Sequence, residues 1–310
     1  MQAVATTTAA RRRLGYAMAA TAATLWGING AVSKVILESG VPALRLTEVR
    51  CCGAFLGFLL VLLVRSPRRL LVPARRIPFL ALFGIVGLAA VQWLYFLAIH
   101  RLAIGIALLI QYLAPLLVAL WARFVYHDPV RRRIFLALAL ALAGLALIVD
   151  VRKGGTVSWL GVVFALGSCL TYMLYLLVAE RTVGDRGALS LLVWGFGFAT
   201  LFFSLVAPWW SFPGHVMAPT VSLLGHLRAE HLPVWALIAL MLTLGTIVPF
   251  FLIVSALHHL PVTRVAIIAM LEPVVATLVA WAWLDESLGA AQLLGGAVVL
   301  AAIALAQTAR

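Results

Sequence analysis

The residue best placed for chemistry is Glu272. It sits at the midpoint of an apolar stretch from Ala256 to Ser287, ALHHLPVTRVAIIAMLEPVVATLVAWAWLDES, is followed at once by Pro273, and the stretch closes on Asp285 and Glu286. A charge at the centre of a bilayer costs about 2.5 to 3.5 kcal/mol on insertion scales, so such a group faces a protein interior or a water-filled cavity. Pro273 removes one backbone donor and opens the turn before it, at Ala269. Irregular backbone at that depth survives only where protein or cavity covers it. Glu272 can bind a substrate ammonium or carry a proton. The structural alternative is an acid that braces the break.

Further candidates lie on other apolar runs. Arg50 is about two turns into its run and can meet a carboxylate with two parallel donors; packing or snorkelling is the plain alternative. Arg45 and Glu48, three apart, are expected to pair with each other near the rim. Gln92, Trp93, Tyr95, Gln111 and Tyr112 carry polar tips on their runs and line a cavity if they face the centre. Asn29 is a further cavity candidate, with interhelical bonding as its alternative. Cys51, Cys52 and Cys169 have no metal-ligand spacing and read as small packing residues. His100, His258 and His259 fall in loops without a carboxylate cluster, which favours a bland role over metal binding.

The elements that must position these groups are membrane helices. The chain has 310 residues, 65% hydrophobic and 11% charged, with mean hydropathy +1.12, a composition outside that of soluble domains. Apolar runs near the length that crosses a hydrocarbon core recur along it. They fall at about Leu14–Ile36, Pro42–Val64, Pro78–Ile99 and Leu102–Val125, a fifth ending at Val149, then Val157–Ala179, Ala188–Ala207, Val234–Leu257, a ninth from Pro261, and Leu288–Ala306. Residues 1–13 read as a polar tail, and the order of residues in the first run favours its retention over cleavage as a signal peptide. Gly53 and Gly57 form a GxxxG step suited to close helix contact. The long loop from Trp209 to Pro233 reads as interfacial, with a surface helix in its middle.

The chain also repeats itself. Shifted by 158 positions, Ala98–Pro129 lies on Ala256–Ser287 without a gap. His100 meets His258, Pro115 meets Pro273, and Asp128 meets Glu286, whereas Ala114 stands where the second copy has Glu272. Matched histidines and prolines at fixed spacing indicate an internal duplication. The polar break Asp150–Thr156 divides the halves, at 1–150 and 156–310.

Charge placement gives an orientation. With the N-terminus in the cytoplasm and ten alternating spans, fifteen Lys or Arg fall on the cytoplasmic side and seven on the other, with Arg264 inside a span. This agrees with the positive-inside rule and accounts for most of the net charge of +13, so nucleic acid is not expected as a partner. Five spans per half is an odd number, so the halves enter the membrane in opposite senses. The expected fold is an all-α membrane protein of ten transmembrane helices in two inverted five-helix repeats, a plan suited to alternating access around a midplane site.

The run PVTRVAIIAMLEPVVATLVAWAWLDESL resembles the end-of-repeat signature of EamA-like transporters of the drug/metabolite transporter superfamily, with Glu272, Pro273 and Glu286 in the matching places. The first repeat is similar more loosely, through LWGINGAVSK at Leu25–Lys34, Pro42 with Arg50, and YLAP at Tyr112–Pro115. It departs at Ala114, and at His127, Asp128 and Pro129, where many relatives carry a Gly-Glu pair; the usual tryptophan near Thr171 is missing. The resemblance implies a carrier in the bacterial inner membrane with both termini cytoplasmic, exporting amino acids or related metabolites through a cavity between the halves. It implies no cofactor and no catalytic activity. The partners expected are a small-molecule substrate and membrane lipid, with protons a candidate coupling ion. The alternatives weighed are a nucleotide-sugar or phosphate-ester exchanger, and a non-transporting scaffold or lipid-handling protein. An intramembrane enzyme would need a nucleophile-base pair or metal motif at depth, which the sequence lacks.

Overall fold

The computed structural model describes residues 2–102, 104–127, 130–149 and 158–308. Asp128, Pro129, the whole break at Asp150–Thr156, and Arg310 lie outside them. Among the described residues the chain forms ten helical elements. Five are continuous through their apolar runs: α1 (Gln2–Glu38), α2 (Ala43–Arg65), α5 (Arg132–Val149), α6 (Trp159–Arg186) and α7 (Ala188–Val206). So is the last, α10 (Ala290–Thr308). The other four are interrupted. α3 runs through Ile77–Leu82, a π-helical segment Phe83–Ala90 and Val91–Ile99; α8 repeats the plan as Val234–Leu242, Thr243–Ile247 and Val248–Ala256. α4 is split into Ile104–Gln111 and Ala114–Phe124, and α9 into Val262–Ala269 and Leu271–Leu284.

Nine helices among the described residues are long and apolar enough to cross a membrane. α1, at 37 residues, has the length but dilutes its apolar stretch with Thr21, Thr24, Gly27 and Asn29, and stands outside that set. The segment read as a polar tail is helical from Gln2, because alanine and arginine are strong helix formers. α6 also runs past its expected end at Ala179, to Arg186.

The packing follows from sealed inner faces and greasy outer ones. The largest buried cluster draws on almost every helix, with Phe58, Phe83, Tyr175, Phe196 and Phe203 at its centre. Leu60, Val64, Leu205 and Leu294 lie more than half exposed, as do Trp159, Trp210 and Trp281. Apolar exposure on this scale suits a hydrocarbon solvent. α1 packs on α8 and α9, α6 packs on α3 and α4, α2 contacts α7 and α8, α7 contacts α3, and α5 lies along α10. Exchanging each helix for the one five places on maps this set of contacts onto itself.

Glycines set the closest approaches. A Cβ on Gly144 would lie 2.7 Å from the carbonyl oxygen of Gly295, and one on Gly295 would lie 2.5 Å from that of Gly144, so α5 and α10 meet backbone to backbone. Gly53 and Gly57 do make a close contact, receiving Leu242 and Ile247 of α8.

The loop between α7 and α8 corrects the expected surface helix. It holds short 3-10 turns and a hairpin, β1 (Thr220–Ser222) antiparallel to β2 (His231–Pro233). Pro213, Gly214 and Pro219 break up its first half, and Gly225, at φ +48°, turns the chain between the two strands. The hairpin is pinned by Trp283 Nε1 donating to the Leu223 carbonyl at 2.9 Å.

Candidate functional site

The two split helices meet in the middle of the molecule. Pro115 sits in the first turn of the second half of α4 and Pro273 in that of α9, each without an N–H to return to the preceding half-helix. The break in α9 falls at Met270, one residue beyond the expected Ala269, with φ −66° and ψ −3°. Glu272 therefore occupies the first turn of Leu271–Leu284, where free N–H groups and the helix dipole favour a carboxylate.

Its direct partner comes from the other split helix. Tyr112 Oη, in the turn that breaks α4, donates to Glu272 Oε2 at 2.8 Å. Tyr112 is buried and Glu272 half-buried, so the carboxylate is held but still reachable. Arg50 on α2, Tyr95 on α3 and Tyr172 on α6 interact electrostatically with Glu272. Arg50 is half-buried and donates through Nε to Thr246 Oγ1 at 3.3 Å, inside the π segment of α8. Among the described residues no ion pair joins Arg50 to Glu272. A guanidinium group and a carboxyl group thus act on each other in the interior without forming an ion pair.

The remaining candidates divide. Gln111 Nε2 donates to Ser168 Oγ at 2.8 Å, and that hydroxyl donates to the Val91 carbonyl at 2.9 Å, so Gln111 ties α4 to α6 and α3. Gln92 Nε2 donates to the Leu88 carbonyl at 3.1 Å within its own helix and approaches Cys51 Sγ at 3.8 Å. Trp93 packs on Phe202 of α7, with ring centroids 5.4 Å apart. Asn29 is 9% exposed, abuts Gly245 in the π segment of α8, and keeps its Oδ1 without a hydrogen-bond partner. Arg45 and Glu48 do pair, at 2.6 Å, but in the interior: Glu48 is fully buried, and Arg45 also reaches the Ala207 carbonyl and Ser211 Oγ.

Sequence reasoning passed over Tyr172 and did not assign Thr246 to the site. Tyr172 stands beside Thr171, in the region where the tryptophan usual among relatives is missing. It begins an aromatic chain. Tyr172 stacks on Tyr175 at 6.1 Å, Tyr175 on Phe83 at 5.7 Å, and the edge of Phe250 meets Tyr175 at 6.1 Å and Phe196 at 5.1 Å. Tyr175, Phe83 and Phe196 are at most 2% exposed, so the space below the site is closed.

Two cavities lie apart from Glu272. One of about 600 Å³ is bounded by Arg131, Glu180, His258, His259 and Thr263, and there Glu180 Oε1 accepts from the Val262 N–H at 2.7 Å. The other, of about 670 Å³, is a groove between α2, α7 and α8. Among the described residues no cluster of metal-ligating side chains occurs.

A polytopic helical membrane protein with two matching halves and a charged, half-buried centre between split helices is the architecture of a membrane carrier. The EamA-like transporter family matches residues 13–150 and again 159–308, and the chain belongs to that family. It is a transporter rather than an enzyme. It is 27% identical over 288 residues to an uncharacterized transporter of Archaeoglobus fulgidus, covering 90% of this chain and 92% of that one. It is 28% identical over 278 residues to the threonine/homoserine exporter RhtA of Escherichia coli K12, covering 87% of this chain and 82% of the exporter. A solved crystal structure superposes with a TM-score of 0.76 at 18% identity, covering 96% of each chain, which supports the fold.

Proposed function

We propose that this protein is an alternating-access exporter of amino acids or similar small zwitterionic metabolites. It has ten spans in inverted repeats at 1–150 and 156–310, sits in the bacterial inner membrane and has both termini in the cytoplasm. The observation that carries this reading is the Tyr112–Glu272 bond between the two split helices, with Arg50 nearby and unpaired with Glu272. A zwitterion matches that arrangement. Its ammonium replaces the Tyr112 donor at Glu272, and its carboxylate takes the free face of the Arg50 guanidinium. Tyr95 and Tyr172 supply flanking hydroxyls, and Asn29 a buried acceptor. Gln92, Gln111 and Trp93 act from behind by fixing α3, α4 and α6.

The exchange symmetry of the helix contacts supports inverted repeats. The relationship to a threonine/homoserine exporter supports export and the substrate class. The aromatic chain from Tyr172 to Phe196 is the inner gate, and transport requires it to part.

The test is amino-acid flux in proteoliposomes, wild type beside Glu272→Gln, with and without a pH gradient. Gradient-dependent flux in the wild type that is lost in the variant makes Glu272 the proton carrier. Gradient-independent flux abolished by the variant keeps it as the ammonium site without proton coupling. Equal flux in both makes it structural and sinks the assignment.

A further inference from the structure

We propose that the groove between α2, α7 and α8 is a binding site for an anionic phospholipid. It occupies about 670 Å³ and has two chemically distinct parts. Most of its length is apolar. Phe58 and Leu62 form a sealed floor, and Val61, Val64 and Phe251 are exposed along the walls. One end carries Arg65, Ser66 and Arg69. Both arginines are exposed, neither makes an ion pair among the described residues, and no acidic side chain lines the groove.

A slot of this kind in a membrane helix bundle opens to lipid. Its apolar walls suit an acyl chain, and two exposed guanidinium groups at one end suit a phosphate that must stay at the water boundary. The backbone that carries Arg69 is anchored to α7, its carbonyl accepting from Ser190 Oγ at 2.9 Å. The first turn of α7, at Ala188 and Leu189, borders the same mouth without a side-chain cap and adds partial positive charge there. A neutral or cationic headgroup would leave the arginines uncompensated. A free phosphate would satisfy them but leave the apolar slot unexplained.

The purified full chain in a neutral detergent is titrated with phosphatidylglycerol, with phosphatidylcholine of the same chains, and with inorganic phosphate. Retained lipid is read by native mass spectrometry and stability by thermal unfolding. We expect phosphatidylglycerol to be retained over phosphatidylcholine and to raise Tm. Arg65→Gln with Arg69→Gln lowers its affinity roughly tenfold or more, given two basic groups at the headgroup. Arg68→Gln, a nearby charge that does not line the groove, leaves it unchanged. Val61→Trp fills the slot and expels the lipid while keeping both arginines, so the proposal stands or falls even if the double variant misfolds. Equal retention of both lipids, or undiminished phosphatidylglycerol binding to Val61→Trp, overturns it. Stabilisation by inorganic phosphate that Val61→Trp does not affect makes this a free-anion site and also overturns it.

Discussion

At the scale of single residues, the carboxyl group at the centre is held by a hydrogen bond from the other half. A hydrogen bond to a charged group contributes about 1.5 to 3 kcal/mol, so Tyr112→Phe should lower stability by that order. In a double-mutant cycle with Glu272→Ala, which removes the acceptor, the coupling should be of the same size, and a coupling near zero would mean the two side chains do not meet in solution. His258, in the turn after α8, is held below the ordinary histidine value by partial burial and then by His259. The folded state therefore binds fewer protons there than the unfolded chain, and stability falls as pH drops through about 6.5. Arg131 and Arg264 face the same cavity and oppose the added charge, while Glu180 favours it. His258→Gln should flatten the fall of Tm between neutral and mildly acidic pH, by a small amount because the ring is mostly in solvent. Glu272 was legible from its type, depth and following proline. Its bond to Tyr112 was not, because it joins positions 160 residues apart.

At the scale of helices, two junctions hold the frame. Arg45 neutralises the fully buried Glu48 and ties α2 to the end of α7. Arg45→Met leaves that carboxylate without its cation and should cost about 3 to 5 kcal/mol, with much of the loss recovered when Glu48→Leu is added. Chemical denaturation of the single and double variants checks this. Between α5 and α10 there is no room for a side chain at Gly295, and Gly295→Val should destabilise by about 1 to 3 kcal/mol or separate the two helices. The repeated interruptions of α3 with α8, and of α4 with α9, follow from the duplication. The prolines of α4 and α9 announced their breaks. The π segments of α3 and α8 did not, since no residue type encodes a wider turn and neighbouring helices impose it.

At the scale of the whole molecule, corresponding helices of the two halves make corresponding contacts, the symmetry that the proposed alternating access requires. The C-terminal end of α9 is held to α1 by Lys34 and Glu286 at 2.8 Å, and to the hairpin loop by His226 and Asp285 at 3.3 Å. Joining Lys34→Cys to Glu286→Cys with a short, reducible thiol cross-linker should stop transport, and reduction should restore it. Cysteines placed at Ser222 and at Ser66 should label from opposite faces of intact cells, Ser222 from outside. Labelling of both from one face would overturn the ten-span orientation.

The sequence by itself determined the class of the protein, because apolar length, cation bias and a duplicated pattern are one-dimensional and obey bilayer thickness and charge cost. It also determined where the acid and the helix-breaking prolines must lie. Only the tertiary structure decided which polar side chains look inward. Gln111 and Tyr112 are neighbours in sequence, yet one braces three helices and the other holds the carboxylate. The physical reason is that Gln111 ends one half-helix while Tyr112 lies in the turn that breaks it, and which direction is the centre depends on how the partner helices pack.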